Sequence, residues 1–89
     1  MTQLTRDDAL SVVVEAIGAV APDVEPELGA LDRHTDLFEE LQLDSMDHLN
    51  VMTALAERTG VEIPERDYPG LRSLDSLSGY LATASGEGA

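Results

Sequence analysis

The chain has no cysteine, which excludes a disulfide framework, a thiolate nucleophile and a zinc centre built on sulfur ligands. Any thiol chemistry must therefore be brought in on another group. There is no tryptophan, and Phe38, Tyr68 and Tyr80 are the only aromatic residues, so the core falls to Leu, Val, Ile, Met and Ala. That palette suits packed helices better than a sandwich of aromatic-rich strands. Positive charge is scarce: 5 Lys+Arg against 18 Asp+Glu give a formal net charge of -13. The phosphate-binding term that dominates affinity for nucleic acid is repulsive on such a surface, and anionic lipid is an equally poor partner. The same field steers the domain toward a basic surface on another protein and keeps it monomeric. Long apolar runs are missing too. No segment approaches the roughly 20 apolar residues that span a bilayer, and MTQLTRDD at the amino terminus lacks the basic stretch and apolar run of a leader. A cytoplasmic protein without a membrane partner is expected. Its 89 residues make one domain with a single small core, too short for a two-domain enzyme with a buried cleft. The domain is expected over residues 1–84, with 85–89 as a disordered tail.

What is present is helical periodicity. Thr5 can cap a first helix with Asp8 as its capping-box partner, and Leu10, Val13, Val14, Ile17 and Val20 follow as a core stripe. Pro22 stops it. The stretch PDVEPELGALDRHT has neither helical nor alternating period and reads as a long ordered loop, tacked down by Leu28, Leu31, Leu37, Phe38 and Leu41. A second long helix opens at Asp44 or Ser45 and runs to about Thr59, with Gly60 as its stop. It carries two stripes. Val51, Met52, Leu55 and Thr59 form one, and Met46, Leu49, Thr53 and Ala56 form another, which is either a broadened core face or a docking surface. ERDY can form a short helix before Pro69 and Gly70, and a last helix starting near Ser73 carries Leu74, Leu77, Tyr80 and Leu81. The fold class expected is all-α, a four-helix bundle of three main helices and one short one with a long loop between the first two.

The decapeptide LQLDSMDHLN, residues 41–50, holds the candidate chemistry. Ser45, with His48 three residues on and Asp44 or Asp47 nearby, has the residue types of a hydrolytic triad. One exposed helix face, however, provides neither an oriented base nor an oxyanion hole, and no G-x-S-x-G elbow surrounds the serine. No catalytic residue is assigned. A calcium loop starting at Asp32 fails because His34 stands at its third position, Leu37 where glycine should make the turn, and Leu43 where a bidentate glutamate should be. No metal site is assigned either. Two readings of Ser45 stay open on the residues alone: an ordinary helix N-cap, or an attachment point for an anionic group at the positive end of a helix.

L-D-S-M at 43–46, the helix to Thr59, and G-V-E-I-P at 60–64 resemble the phosphopantetheine-binding acyl carrier proteins over nearly the whole chain, most strongly over residues 36–81. The resemblance implies a non-enzymatic carrier. Ser45 would receive a 4'-phosphopantetheine arm from coenzyme A through a phosphopantetheinyl transferase, and the arm's thiol would carry an acyl thioester to acyl-transferring and acyl-processing enzymes. Asp44 matches the acidic residue before the serine. Met46, Asp47, Leu49, Thr53 and Glu57 fall on the face that would bind partners, and Val13, Ile17, Val51, Met52, Leu55 and Leu77 line the interior where part of an acyl chain would shelter. Asn50 and Ala56 stand where many fatty-acid carriers have glutamate, Arg58 adds positive charge, and His48 is unusual beside the serine. These departures point from housekeeping fatty acid synthesis toward polyketide, lipid or other specialised acyl metabolism. Gln42-Leu43 replaces the glycine pair of peptidyl carriers. An aminoacyl carrier and an unmodified acidic interaction module remain as alternatives.

Overall fold

The computed structural model describes residues 4–87, with side chains to residue 84. Its helices are α1 (Arg6–Val20), α2 (Glu25–Leu28), α3 (Leu37–Glu40), α4 (Ser45–Thr59) and α5 (Leu74–Glu87), with 3-10 segments at Pro22–Val24 and Glu65–Gly70. No strand occurs among the described residues.

The capping box predicted for α1 is present. The Asp8 N–H donates to Thr5 Oγ1 at 3.0 Å, and the Thr5 N–H reaches back to Asp8 Oδ2 at 3.5 Å. The buried face of α1 is centred elsewhere than the large apolar residues suggest: Ala9, Val13, Ala16 and Ile17 are fully buried, while Leu10, Val14 and Val20 flank them half-buried. Alanine at the centre lets neighbouring backbones come close, and α1 packs against both α4 and α5. The central position of α1 follows from this small-residue face.

The expected long ordered loop is a run of short helical turns. Pro22 and Pro26 sit within the first two positions of their turns, where a missing N–H leaves no helical bond unmade. Asp36 caps α3 by accepting the Glu39 N–H at 3.1 Å. Turns of three or four residues are too short to imprint a period on the sequence, which is why only the prolines betray them. Leu28, Leu37 and Phe38 are buried as expected, and Leu31 and Leu41 are half-buried. Two backbone bonds stitch this region to the start of α5: the Leu37 N–H donates to the Arg72 carbonyl and the Asp75 N–H to the Arg33 carbonyl, each at 2.8 Å.

α3 ends in a Schellman turn. The Leu43 N–H donates to the Phe38 carbonyl at 2.7 Å and the Gln42 N–H to the Glu39 carbonyl at 3.1 Å. The turn needs a left-handed residue, and Gln42 supplies it with φ +57, the one non-glycine residue of positive φ among those described. Leu43 packs against the core and hands the chain to Asp44 at the start of α4. At its other end α4 stops at Gly60, φ +74, as expected.

α5 opens with Ser73 and Ser76 exchanging backbone-to-hydroxyl bonds, each of 3.0 Å. Leu74, Leu77 and Leu81 are buried and Tyr80 is half-buried, its hydroxyl donating to Asp67 Oδ2 at 2.9 Å. The helix backbone extends to Glu87, beyond the boundary expected at 84; residues 88–89 of the expected tail lie outside the described residues. Leu55, fully buried between these helices, is the kind of side chain whose truncation costs about 2–5 kcal/mol.

A side chain in the left-handed region costs about 1–2 kcal/mol that glycine avoids, an advantage partly offset by glycine's greater freedom in the unfolded chain. Gln42→Gly is therefore expected to raise the melting temperature by a few degrees, and the β-branched Gln42→Val to lower it. Thermal melts followed by circular dichroism check this, and a Val variant as stable as the Gly variant contradicts it.

Candidate functional site

Asp44, not Ser45, is the N-cap of α4. Its carboxylate accepts the Asp47 N–H at 2.9 Å, and the Asp47 carboxylate accepts the Asp44 N–H at 3.4 Å, closing a capping box. The two acids thus serve the helix start between them. Ser45 takes the first helical position, exposed, and its hydroxyl has no hydrogen-bond partner among the described residues. The ordinary-cap reading of this serine is overturned by the acid that stands before it. The N–H groups of Ser45 and Met46 lie ahead of any carbonyl that the helix could offer them, so the end of the helix dipole is open at the serine.

Behind the serine is a packed polar cluster that the sequence reading missed. His48, expected on an exposed face, is 8% exposed. Its imidazole lies 4.2 Å from the Phe38 ring and 5.7 Å from the Tyr68 ring, centroid to centroid, and Nε2 is 3.2 Å from the Leu71 carbonyl. A carbonyl only accepts, so Nε2 carries the proton and donates. The Arg72 guanidinium sits 5.5 Å over the Phe38 ring, and its Nε donates to Asp36 Oδ2 at 2.6 Å. That bond holds the Asp36 carboxyl below its ordinary pKa against a smaller opposing effect of burial. Burial pushes the His48 pKa down, helped by the charge of Arg72 and opposed by the bond to Leu71 and the charge of Asp36. The cluster fastens α3, α4 and the 65–72 segment to one another. A signal for His48 was available: with Val51, Met52 and Leu55 it completes the spacing i, i+3, i+4, i+7 of the buried face.

The outward face of α4 carries the other stripe. Met46 is 62% exposed and Leu49 41%, with Thr53 exposed and Ala56 half-buried. Val51, Met52 and Leu55 point into the bundle. Half-buried Asp47 and exposed Glu57 lie to one side of this stripe by helical register, while Arg58 is drawn aside to α1, with Nη1 3.6 Å from Glu15 Oε1. Among the described residues no three His, Asp or Glu side chains converge as a metal site, and none of the helices is long and apolar enough to cross a membrane. A cleft of about 570 Å³ between α1 and α5, lined by Arg6, Leu71, Asp75, Gly79, Tyr80 and Thr83 among others, includes no residue of α4. An exposed hydroxyl at an open helix terminus, spared from capping, is a group that another enzyme can reach and esterify, and the terminus favours the anion so formed.

The family model described as phosphopantetheine attachment site matches residues 11–81. The chain is similar to the acyl carrier protein of Chlamydia caviae, 30% identical over 81 residues covering 91% of this chain and 96% of that protein. It is 33% identical to the acyl carrier protein of Campylobacter fetus over 75 residues, 84% of this chain and 88% of that protein. The acyl carrier protein of Acidothermus cellulolyticus is 29% identical over 86 residues, 92% of this chain and 94% of that protein. No solved structure matches the chain at significant similarity.

Because the folded state holds His48 below its ordinary pKa of 6.5, the unfolded chain binds the extra proton first as the solution is acidified. The contribution of His48 to stability is thus complete above about pH 6.5 and is lost progressively below it. Melting temperatures of the wild type and His48→Phe, compared from pH 8 to pH 5, are expected to shift in the variant's favour as pH falls through this range. Parallel curves contradict the burial of a neutral imidazole.

Proposed function

The chain belongs to the phosphopantetheine-attachment family of acyl carrier proteins, a carrier and not an enzyme, and from that premise we propose that Ser45 is the residue to which its 4'-phosphopantetheine is joined. The observation that supports this reading is the exposed Ser45 hydroxyl left free by the Asp44–Asp47 capping box. The prosthetic group, esterified there from coenzyme A by a phosphopantetheinyl transferase, supplies the thiol that the cysteine-free chain lacks and carries acyl groups as thioesters. Everything else is the work of the protein. The open N–H groups of Ser45 and Met46 favour the phosphodiester, and the capping box keeps the first turn of α4 from fraying under a long, mobile substituent. Asp44 stands next to the esterified hydroxyl, in position to meet the transferase.

Met46, Leu49 and Thr53 form the face along which acyl-processing enzymes approach the arm, with Asp47 and Glu57 as acidic contacts at its border. The exposure of two large apolar side chains beside Ser45 supports this, since a monomer gains nothing from leaving them in water. The approach is steered by the net charge of -13, which also opposes self-association and favours a monomeric carrier. With Asn50 on the outward side of α4 and Arg58 paired to Glu15, the face is less acidic than the chain as a whole. That balance favours a specialised pathway, polyketide or related acyl metabolism, over housekeeping fatty acid synthesis.

Incubation with coenzyme A and a broad-specificity transferase is expected to add the mass of one arm to the intact protein and none to Ser45→Ala. Addition to the Ala variant, or none to the wild type, contradicts the assignment. Charge reversal of Asp47 and Glu57 together is expected to slow association with a partner enzyme at low ionic strength and to leave the rate little changed at high salt; a low-salt rate equal to the wild type contradicts the steering.

A further inference from the structure

We propose that the imidazole of His48 latches shut the seam between α4 and the Glu65–Leu71 segment, so that an acyl group tethered at Ser45 stays outside the bundle and the cargo is a short or polar chain held in the open. The inference rests on Ser45 as the attachment residue and concerns what that site can carry.

His48 follows Ser45 by three residues, close enough along α4 to be its neighbour on the helix surface, and it is the point at which α4 is tied to the far side of the seam. Its Nε2 donates to the Leu71 carbonyl at 3.2 Å, and Leu71 is itself 5% exposed with its N–H donating to the Tyr68 carbonyl at 3.0 Å. Both flanks of the imidazole are aromatic, Phe38 from α3 and Tyr68 from the 3-10 segment. Phe38 is held in turn beneath Arg72, whose bond to Asp36 locks the third corner of the cluster. A chain entering here has to displace a ring that is bonded at one edge and packed between two others. Doing so takes the donor from the carbonyl of buried Leu71, which is the costly way to break a buried hydrogen bond.

Nothing beyond the latch offsets that loss. Val13, Ile17, Val51, Met52, Leu55 and Leu77, the residues expected to shelter an acyl chain, are at most 1% exposed and pack against one another in one continuous core. Added methylenes overpack such an interior unless a bordering side chain gives up its volume, as in His48→Ala. Outside, in contrast, Met46 and Leu49 offer apolar surface beside Ser45 without any bond to break.

The test is to load the isotopically labelled full-length chain with butanoyl- or decanoyl-pantetheine from the acyl-coenzyme A and transferase, confirm the adduct by intact mass, and compare methyl and amide spectra. In the wild type both lengths are expected to move only resonances of residues 44–50, and the Leu55, Ile63 and Leu71 methyls are expected to be insensitive to chain length. In His48→Ala the decanoyl group is expected to move those three and the butanoyl group not to. His48→Phe, which refills the space without a donor, serves should the Ala variant fail to fold, and is expected to show the length dependence at Leu71. Length-dependent shifts at these methyls in the wild type overturn the latch, as do loaded variants that match the wild type. Absence of the adduct mass overturns the Ser45 assignment and this inference together.

Discussion

The structure depends on a division of labour between neighbours: Asp44 and Asp47 satisfy the start of α4 between themselves, so the serine between them has no bond to make. Had the serine been the cap, its hydroxyl would accept a backbone N–H and modifying it would weaken the helix at the point proposed for attachment. With aspartate in that role the hydroxyl is presented by a helix start that its chemistry does not disturb. The Schellman turn just before it fixes the entry path, because the Leu43 and Gln42 amides are already bonded back into α3 when the chain reaches Asp44. Two short-range motifs, sharing four residues of connection, thus set both the direction of α4 and the exposure of its first turn.

The same economy governs the few positive charges. Arg6 reaches Asp75, Arg58 reaches Glu15 and Arg72 reaches Asp36, each joining elements distant in sequence. The first two pairs are largely exposed and stabilise little on their own. Arg72 differs, since it also covers Phe38 and shares its half-buried surroundings with His48. In a chain so acidic, one arginine and one neutral imidazole help hold together the three segments nearest the serine.

Much of this was legible before any coordinates. Thr5 with Asp8, Gly60, and the apolar spacing of α4 and α5 are local signals, and the fold class and the exposed hydroxyl follow from them together with the L-D-S-M and G-V-E-I-P resemblance. What escaped was of three kinds. Ala9 and Ala16 are core residues that hydrophobic spacing undervalues, because a small side chain is informative only when its neighbour is known. His48, Arg72 and Asp36 are polar residues whose partners lie 23 and 36 positions away, and no window along the sequence brings such pairs together. Gln42 in a left-handed turn was hidden for a third reason, since glycine is the residue that normally announces that conformation.

Native-state amide exchange across residues 41–48 tests most directly whether the helix start is held by its neighbours while the serine is left open. The account predicts that the Leu43 and Asp47 amides are protected to an extent comparable with Leu55 in the middle of α4, and that the Ser45 and Met46 amides exchange far faster than either. Leu43 and Asp47 exchanging as fast as Ser45 and Met46 would mean that the junction frays in solution, and the presentation of Ser45 described here would be wrong.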